Sequence, residues 1–162
     1  MTMSAVVAPA HNPTRAAMAA GALFVDEAGR VMLVKPTYKN FWDIPGGYVE
    51  PGENPVEACA REVREELGIE PRIGRLLVTD WAPTEKDGDK VLFVFDGGQL
   101  STEQHDAISV QTAELIRYEY IATADLPRYT IDRLVRRVAA AAEARRTGRP
   151  IYLEHGETPH QS

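Results

Sequence analysis

Apolar residues along the chain predict a series of short strands. Two apolar runs, 16–26 and 31–35, flank the turn-forming residues Glu-Ala-Gly-Arg, which predicts a strand, a tight reversal and a second strand. Two later runs, 72–80 and 90–96, predict strands separated by a polar loop. Together they indicate a sheet of several strands.

Turn-forming residues divide the rest of the chain. The extended piece 41–44 is predicted to stop at Pro45-Gly46-Gly47, where two glycines allow close backbone approach to a ligand. The segment 97–111 is polar and is predicted to be irregular. A loop then leads to an extended stretch at 118–121. Beyond Gly148, only 151–153 shows an apolar signal.

A helix is predicted over 55–67. Asn54 suits the N-cap, Glu57 suits a capping box with it, and Gly68 suits the C-terminal cap. Apolar residues recur at helical spacing and predict the buried face: Val56, Cys59, Ala60, Val63 and Leu67. A second long helix is predicted over 131–146, with Ile131, Leu134, Val135 and Val138 facing the sheet.

The first helix carries an unusual set of carboxylates. Glu62, Glu65 and Glu66 stand at i, i+3 and i+4, so they share one face. Such a face can be a solvated surface paired with neighbouring arginines. It can also hold a cation, and carboxylate oxygens suit Mg²⁺, with Mn²⁺ as a substitute. Those ions commonly act on phosphates.

Composition limits the function classes. The chain has 162 residues, a formal net charge of −6 and one cysteine, Cys59. The acidic balance argues against binding long nucleic acid, and a single cysteine excludes an intrachain disulfide or a cysteine-based zinc cluster. No signal peptide or membrane span is recognisable, so we expect a cytoplasmic protein without membrane contact.

We predict one domain over 16–153. Residues 1–15 contain Pro9 and Pro13 and are expected to form a flexible arm, and 154–162 a flexible tail. The sequence leaves the oligomeric state open, because the arm can exchange between protomers of a homodimer or stay disordered.

The stretch from Gly47 to Ile69 resembles a known family signature. It matches every defined position of the Nudix box, G-x5-E-x7-R-E-U-x-E-E-x-G-U, where U is apolar. The matching residues are Gly47, Glu53, Arg61, Glu62, Val63, Glu65, Glu66, Gly68 and Ile69. The box covers about a seventh of the chain. The resemblance implies the Nudix fold, an α/β/α sandwich with a mixed β-sheet between helices.

The resemblance also implies a reaction. Nudix hydrolases use a divalent metal to direct water at phosphorus and cleave the pyrophosphate bond of a nucleoside diphosphate linked to another moiety. ADP-ribose-like compounds and nucleotide sugars compete with nucleoside triphosphates as the substrate. Two alternatives within the fold are a nucleotide-sensing module with little turnover and an isomerase, although the complete box favours hydrolysis.

Site residues follow from the resemblance. The implied metal ligands are Glu62, Glu65 and Glu66, with the carbonyl of Gly46 as a further ligand. Glu62 and Glu53 are competing candidates for the general base, and Arg61 is expected to orient a carboxylate. Relatives draw another acidic residue from a later loop. Our candidates for it are, in order, Glu114, Glu119 and Glu103.

Substrate contacts are expected from aromatic residues. Those around the glycine turn and in later strands are Tyr38, Phe41, Trp42, Trp81 and Tyr118, although such residues more commonly pack in cores or loops. Lys35, Lys39 and Arg75 are candidate phosphate or sugar contacts. The partner implied is a small phosphorylated nucleotide.

Overall fold

The computed structural model describes residues 10–159. In this range the elements are β1 (Ala17–Phe24), β2 (Val31–Pro36), β3 (Gly46–Tyr48), α1 (Pro55–Leu67), β4 (Leu76–Trp81), β5 (Lys90–Gly98), α2 (Thr102–Ala107), β6 (Leu115–Ile121), a 3₁₀ helix (Thr123–Arg128), α3 (Asp132–Thr147) and β7 (Ile151–Glu154). None of these helices has the length and apolar character needed to cross a membrane.

Five strands form one mixed sheet in the order β3-β1-β5-β4-β7. The β1–β5 and β4–β7 pairs are parallel, whereas β1–β3 and β4–β5 are antiparallel. β2 and β6 pair separately as a two-stranded antiparallel sheet. The predicted strand, reversal and strand at 16–35 are therefore present, but β1 and β2 belong to different sheets.

Helices cover both faces of the larger sheet. α1 packs on β1, β3 and β5, whereas α3 packs on β4 and β7. Each helix closes its own apolar core: one includes Leu134, Val138 and Leu153, and the other includes Val63 and Leu67. This arrangement confirms the predicted α/β/α architecture with a mixed sheet between helices.

The boundaries of α1 agree with the prediction. Asn54 and Glu57 form a reciprocal capping box, and Gly68 adopts a left-handed conformation at the C-terminal end. The predicted apolar face is wrong at one position, because Val56 is 42% exposed. Ala58 is buried instead, and so is the carboxylate-bearing Glu66.

Two predictions about the loops are wrong. β3 begins at Gly46, inside the predicted stop, because Gly46 and Gly47 pair with Gly21 and Ala20 of β1. The segment 97–111 contains α2, which starts with a capping box between Ser101 and Gln104. α2 has six residues and none is buried, so it has no apolar periodicity to recognise.

The chain ends are partly described. Residues 1–9 and 160–162 of the predicted arm and tail lie outside the described range. Residues 10–15 have no helix or strand, and the Thr14 hydroxyl donates to the Asp89 carboxylate. At the other end, the Gly156 N–H donates to Asp80 Oδ1 at 3.1 Å, so residues following β7 contact the sheet.

Candidate active site

The glycine turn at the start of β3 lies against the acidic face of α1. The Gly46 N–H donates to Glu66 Oε2 at 3.0 Å. A Cβ atom at Gly46 would lie 2.4 Å from the carbonyl oxygen of Ala20, so only glycine allows β3 to approach β1 this closely. The turn therefore fixes Glu66 relative to the sheet.

Gly47 plays a different part. A Cβ atom there would lie 2.4 Å from the carboxyl carbon of Glu62, which is far inside van der Waals contact. The absence of a side chain at Gly47 lets the Glu62 carboxylate lie directly on the backbone of β3. The two adjacent glycines thus hold one carboxylate each.

Arg61 connects the loop before α1 to the carboxylates on it. Its Nε and Nη2 donate to Glu53 Oε1 and Oε2 at 2.6 and 3.0 Å, a bidentate pair. Its Nη1 donates to Glu62 at 2.8 Å and to Glu65 at 3.2 Å, and Nη2 also donates to the Tyr48 carbonyl. Glu53 further accepts from the Glu50 N–H. One guanidinium therefore orients three glutamates.

The carboxylates have very different surroundings. Glu66 is 6% exposed, and burial together with the nearby charges of Glu62, Asp43 and Glu114 raises its pKa to about 8. Burial also raises the pKa of Glu62, against the opposing effect of Arg61. The hydrogen bonds from Arg61 lower the pKa of Glu53. The ionised form of Glu66 is thus poorly compensated by its surroundings.

The raised pKa of Glu66 predicts a pH dependence of stability in EDTA. Protonated Glu66 contributes to the stability of the folded state. This contribution is fully present below the ordinary pKa of 4.5 and is lost as pH rises through the folded-state pKa of about 8. The melting temperature of the metal-free protein should therefore decrease as the pH is raised from 5 to 8. Glu66→Gln should flatten the decline, and the exposed Glu70→Gln should not. An unchanged slope in Glu66→Gln would contradict this account.

The donors around Glu66 fit a hard divalent cation. Buried carboxylate oxygens that repel one another bind such an ion well, because it compensates their charge. Within residues 10–159, however, no three acidic, histidine or cysteine side chains are already arranged as a metal cluster. In this structure Arg61 forms ion pairs with Glu62 and Glu65, and Glu66 accepts a hydrogen bond from the Gly46 N–H.

A cavity of about 240 Å³ shares Gly46 and Gly47 with this acidic face. Its floor is formed by β1 and β5, and α3 forms one wall. Of the predicted aromatic contacts, Tyr38 and Phe41 line it, as does the predicted phosphate contact Lys39. Gly46 and Gly47 thus connect the cavity with the carboxylates of Glu62 and Glu66.

The other predicted aromatic residues lie elsewhere. Trp42 is buried in the core, where it packs edge-on against Tyr129 with ring centroids 5.5 Å apart. Trp81 ends β4 opposite Val91, and Tyr118 lies on β6 beside Tyr120. None of these three is among the residues that line the cavity.

The candidate acids outside the box are spread along the chain. Glu114 is exposed in the loop before β6, and its charge contributes to the raised pKa of both Glu62 and Glu66. Glu119 lies on β6 and ion-pairs with Arg117 at 3.1 Å, and Glu103 lies on α2. Glu114 is thus close enough to act electrostatically on two of the box carboxylates.

The remaining predicted cations do not face the box. The Lys35 ammonium donates to the Lys39 carbonyl, and the Arg75 guanidinium donates to the Arg145 carbonyl at 2.7 Å. Arg75 thus connects the start of β4 to the end of α3.

Two features were not anticipated from the sequence. Asp43 lines the cavity, pairs with Lys39 at 2.8 Å and contributes to the pKa of Glu66. Asp80, fully buried on β4, pairs with Arg137 of α3 at 2.7 Å. Asp43 could have been noticed from its place just before the glycine turn. The Asp80–Arg137 pair depends on a tertiary contact that the local pattern does not encode.

Comparison with known proteins identifies the family. The NUDIX domain profile matches residues 15–141, which is most of the chain and runs from before β1 into α3. The chain belongs to the Nudix family. A solved Nudix structure supports this: the MutT Nudix hydrolase from Burkholderia pseudomallei superimposes with a TM-score of 0.64 at 25% identity, covering 80% of this chain and 98% of that one.

Sequence relatives agree with this assignment. A Bacillus subtilis (strain 168) protein named "Putative 8-oxo-dGTP diphosphatase" is 28% identical over 116 residues, 72% of this chain and 73% of that protein. Mouse diphosphoinositol polyphosphate phosphohydrolase 3-alpha is 35% identical over 81 residues, so this chain spans about half its length. The relatives' names describe phosphohydrolases, and the predicted class, a Nudix hydrolase, is confirmed at the level of the family.

Proposed function

We propose that this Nudix chain is a Mg²⁺-dependent hydrolase that cleaves the pyrophosphate bond of a nucleoside diphosphate linked to another moiety. The observation that carries the proposal is the buried Glu66, which accepts from the Gly46 N–H next to Gly47 and Glu62, where both glycines line a cavity. A buried carboxylate with a pKa raised to about 8 lacks compensating charge, which a divalent ion would supply.

The proposed metal ligands are Glu62, Glu65 and Glu66, with the Gly46 carbonyl. When bound, Mg²⁺ supplies charge neutralisation at phosphate oxygens and lowers the pKa of coordinated water. Glu62 and Glu65, which pair with Arg61 in this structure, would hold the ion through their carboxylates. Arg61 keeps its bidentate pair with Glu53, so the loop before α1 stays attached to the helix.

Proton transfer requires a carboxylate near the attacking water. Glu53 stays ionised because Arg61 lowers its pKa, and it is anchored by two side-chain contacts and one backbone N–H. Glu114 is exposed and unanchored by any side-chain ion pair in the described part of the chain, so it is able to approach a bound substrate. We propose Glu114 as the acid outside the box and retain Glu62 and Glu53 as alternative bases.

The bond changes are simple. Water oxygen bonds to one phosphorus, the bridging P–O bond breaks, and the water proton passes to the base. Two phosphate monoesters leave, or a monophosphate and pyrophosphate if the substrate is a triphosphate. The moiety beyond the cleaved bond occupies the cavity beside Tyr38 and Phe41.

The test is a substrate panel read by mass spectrometry. ADP-ribose, nucleotide sugars, dGTP, 8-oxo-dGTP and dinucleoside polyphosphates are incubated with Mg²⁺ in ¹⁸O-labelled water. We expect ¹⁸O in one phosphate product of at least one substrate, which identifies the nucleotide and the phosphorus attacked. The absence of product from the whole panel at high enzyme concentration would contradict the proposal.

A further inference from the structure

The cavity beside the glycine turn is lined by far more positive than negative side chains. Five of its lining residues are cationic, namely Lys39, Lys86, Lys90, Arg133 and Arg137, and one, Asp43, is a carboxylate. The chain as a whole carries a net charge of −6, so this excess is local. Walls of one charge sign concentrate ligands of the opposite sign.

Some of these cations are already paired. Lys39 contacts Asp43 and Lys90 contacts Asp87, each at 2.8 Å. Lys86 and Arg133 are exposed, and among residues 10–159 neither has a carboxylate within 4.0 Å. Two positive charges at the cavity are therefore available to a ligand.

Arg137 provides a buried donor at the same cavity. It is 7% exposed, and its Nε donates to Asp80 Oδ2 at 2.7 Å. Its Nη2 is enclosed and has no hydrogen-bond partner among the described residues. An enclosed donor of this kind costs free energy unless a ligand or water accepts from it.

A purely structural ion pair accounts for only part of this arrangement. Asp80 is fully buried and accepts from Arg137 through Oδ2 and from the Gly156 N–H through Oδ1, so its carboxylate is satisfied. The guanidinium has five N–H donors and uses one of them on Asp80. Asp80 thus holds Arg137 in place, and the other N–H groups of the guanidinium are not used by this pair.

Arg133 and Arg137 are positioned together by α3. They stand at i and i+4, and residues at this spacing lie on the same helix face. Lys86 reaches the cavity from the 82–89 loop. Guanidinium groups bind phosphate oxygens through paired N–H donors, with lysine adding a point charge.

We propose that Arg137, Arg133 and Lys86 form a subsite for a phosphate group remote from the cleaved bond, so that this protein prefers substrates carrying such an extra phosphate. This inference rests on the proposed function in one respect, namely that the moiety beyond the cleaved diphosphate binds in the cavity. Asp80 is a positioning residue for Arg137.

The test compares ligand pairs that differ by one phosphate. NADPH and NADH are one pair, and coenzyme A and dephospho-coenzyme A are another. Binding is measured by calorimetry in EDTA, where no metal-dependent turnover occurs, so the result does not depend on hydrolysis. We expect the phosphorylated member to bind at least about tenfold more tightly, since a single hydrogen bond between charged groups is strong enough to change affinity by that factor.

Variants assign the effect to the subsite. The double variant Lys86→Met/Arg133→Gln changes two exposed side chains and should reduce the preference several-fold. Arg149→Gln, an exposed arginine that does not line the cavity, should leave it unchanged. Arg137→Lys keeps a charge for Asp80 but loses the fork, and should also reduce the preference if its melting temperature shows that it folds.

Three outcomes would overturn the proposal. They are equal affinity within both ligand pairs, failure of both phosphorylated members to bind, and a preference that the double variant does not change. Hydrolysis of the substrate panel together with any of these would remove the subsite and leave the proposed function intact. A tenfold preference in a protein that hydrolyses no member of the panel would support the subsite and contradict the proposed function.

Discussion

Replacing Glu66 with Gln is expected to lower kcat by about 10²- to 10³-fold, because the proposed metal site would lose one of its ligands. The substitution removes one negative charge and keeps the shape of the side chain. The Gly46 N–H can still donate to the amide oxygen, so β3 and α1 should stay in contact. The measurement is the steady-state rate on the best substrate of the panel, at saturating Mg²⁺.

The control separates loss of chemistry from loss of fold. Glu66→Gln should be at least as stable as the parent protein at pH 8 in EDTA, since the neutral amide is not penalised by burial as the charge is. Glu70→Gln, an exposed residue after α1, should keep the parental rate. A folded Glu66→Gln variant with the parental kcat would remove Glu66 from the catalytic site.

The adjacent glycines are expected to respond differently to the same substitution. Gly47→Ala should leave the protein folded and lower kcat/KM by about 10- to 100-fold, because the new Cβ would displace the Glu62 carboxylate from the proposed metal site. The Cβ would lie 2.4 Å from the carboxyl carbon of Glu62, which is the end of a flexible side chain and can move. Activity assays with a thermal melt of each variant measure both effects.

Gly46→Ala should mainly destabilise the fold, by about 1–3 kcal/mol, as overpacking does. Its Cβ would meet backbone atoms of β1, at 2.4 Å from the Ala20 carbonyl oxygen and 2.6 Å from the Gly21 Cα, and these cannot rotate away. Parental activity in Gly47→Ala, or equal stability losses in the two variants, would show that the glycines do not hold separate parts of the site.

The local sequence is sufficient to predict much of α1 and its acidic face. Asn54, Glu57 and Gly68 define its ends, and the spacing of the glutamates places them together. The raised pKa of Glu66 could not be predicted in this way, because it depends on packing against β3 and on charges from distant loops. The same holds for the sheet order, since β1 pairs in parallel with β5, which lies far along the chain.

Residues of the cavity were the least predictable part. Tyr38 and Phe41 were expected to contact substrate from their position near the glycine turn, and both line the cavity. Trp42 was expected to do so for the same reason, but its side chain packs into the core against Tyr129. Neighbouring residues on an extended segment point to opposite faces, and the sequence does not state which face is buried. Arg137 is likewise buried only through its tertiary contact with Asp80, which the spacing along α3 does not reveal.

Metal dependence of turnover tests the central claim most directly. The initial rate on the panel's best substrate is measured after treatment with EDTA and again after Mg²⁺ is restored. We predict that EDTA lowers the rate by at least about 100-fold and that Mg²⁺ restores it, since charge neutralisation at the phosphates depends on the ion. An EDTA-treated enzyme that retains its full rate would contradict the assignment of Glu62, Glu65 and Glu66 as metal ligands.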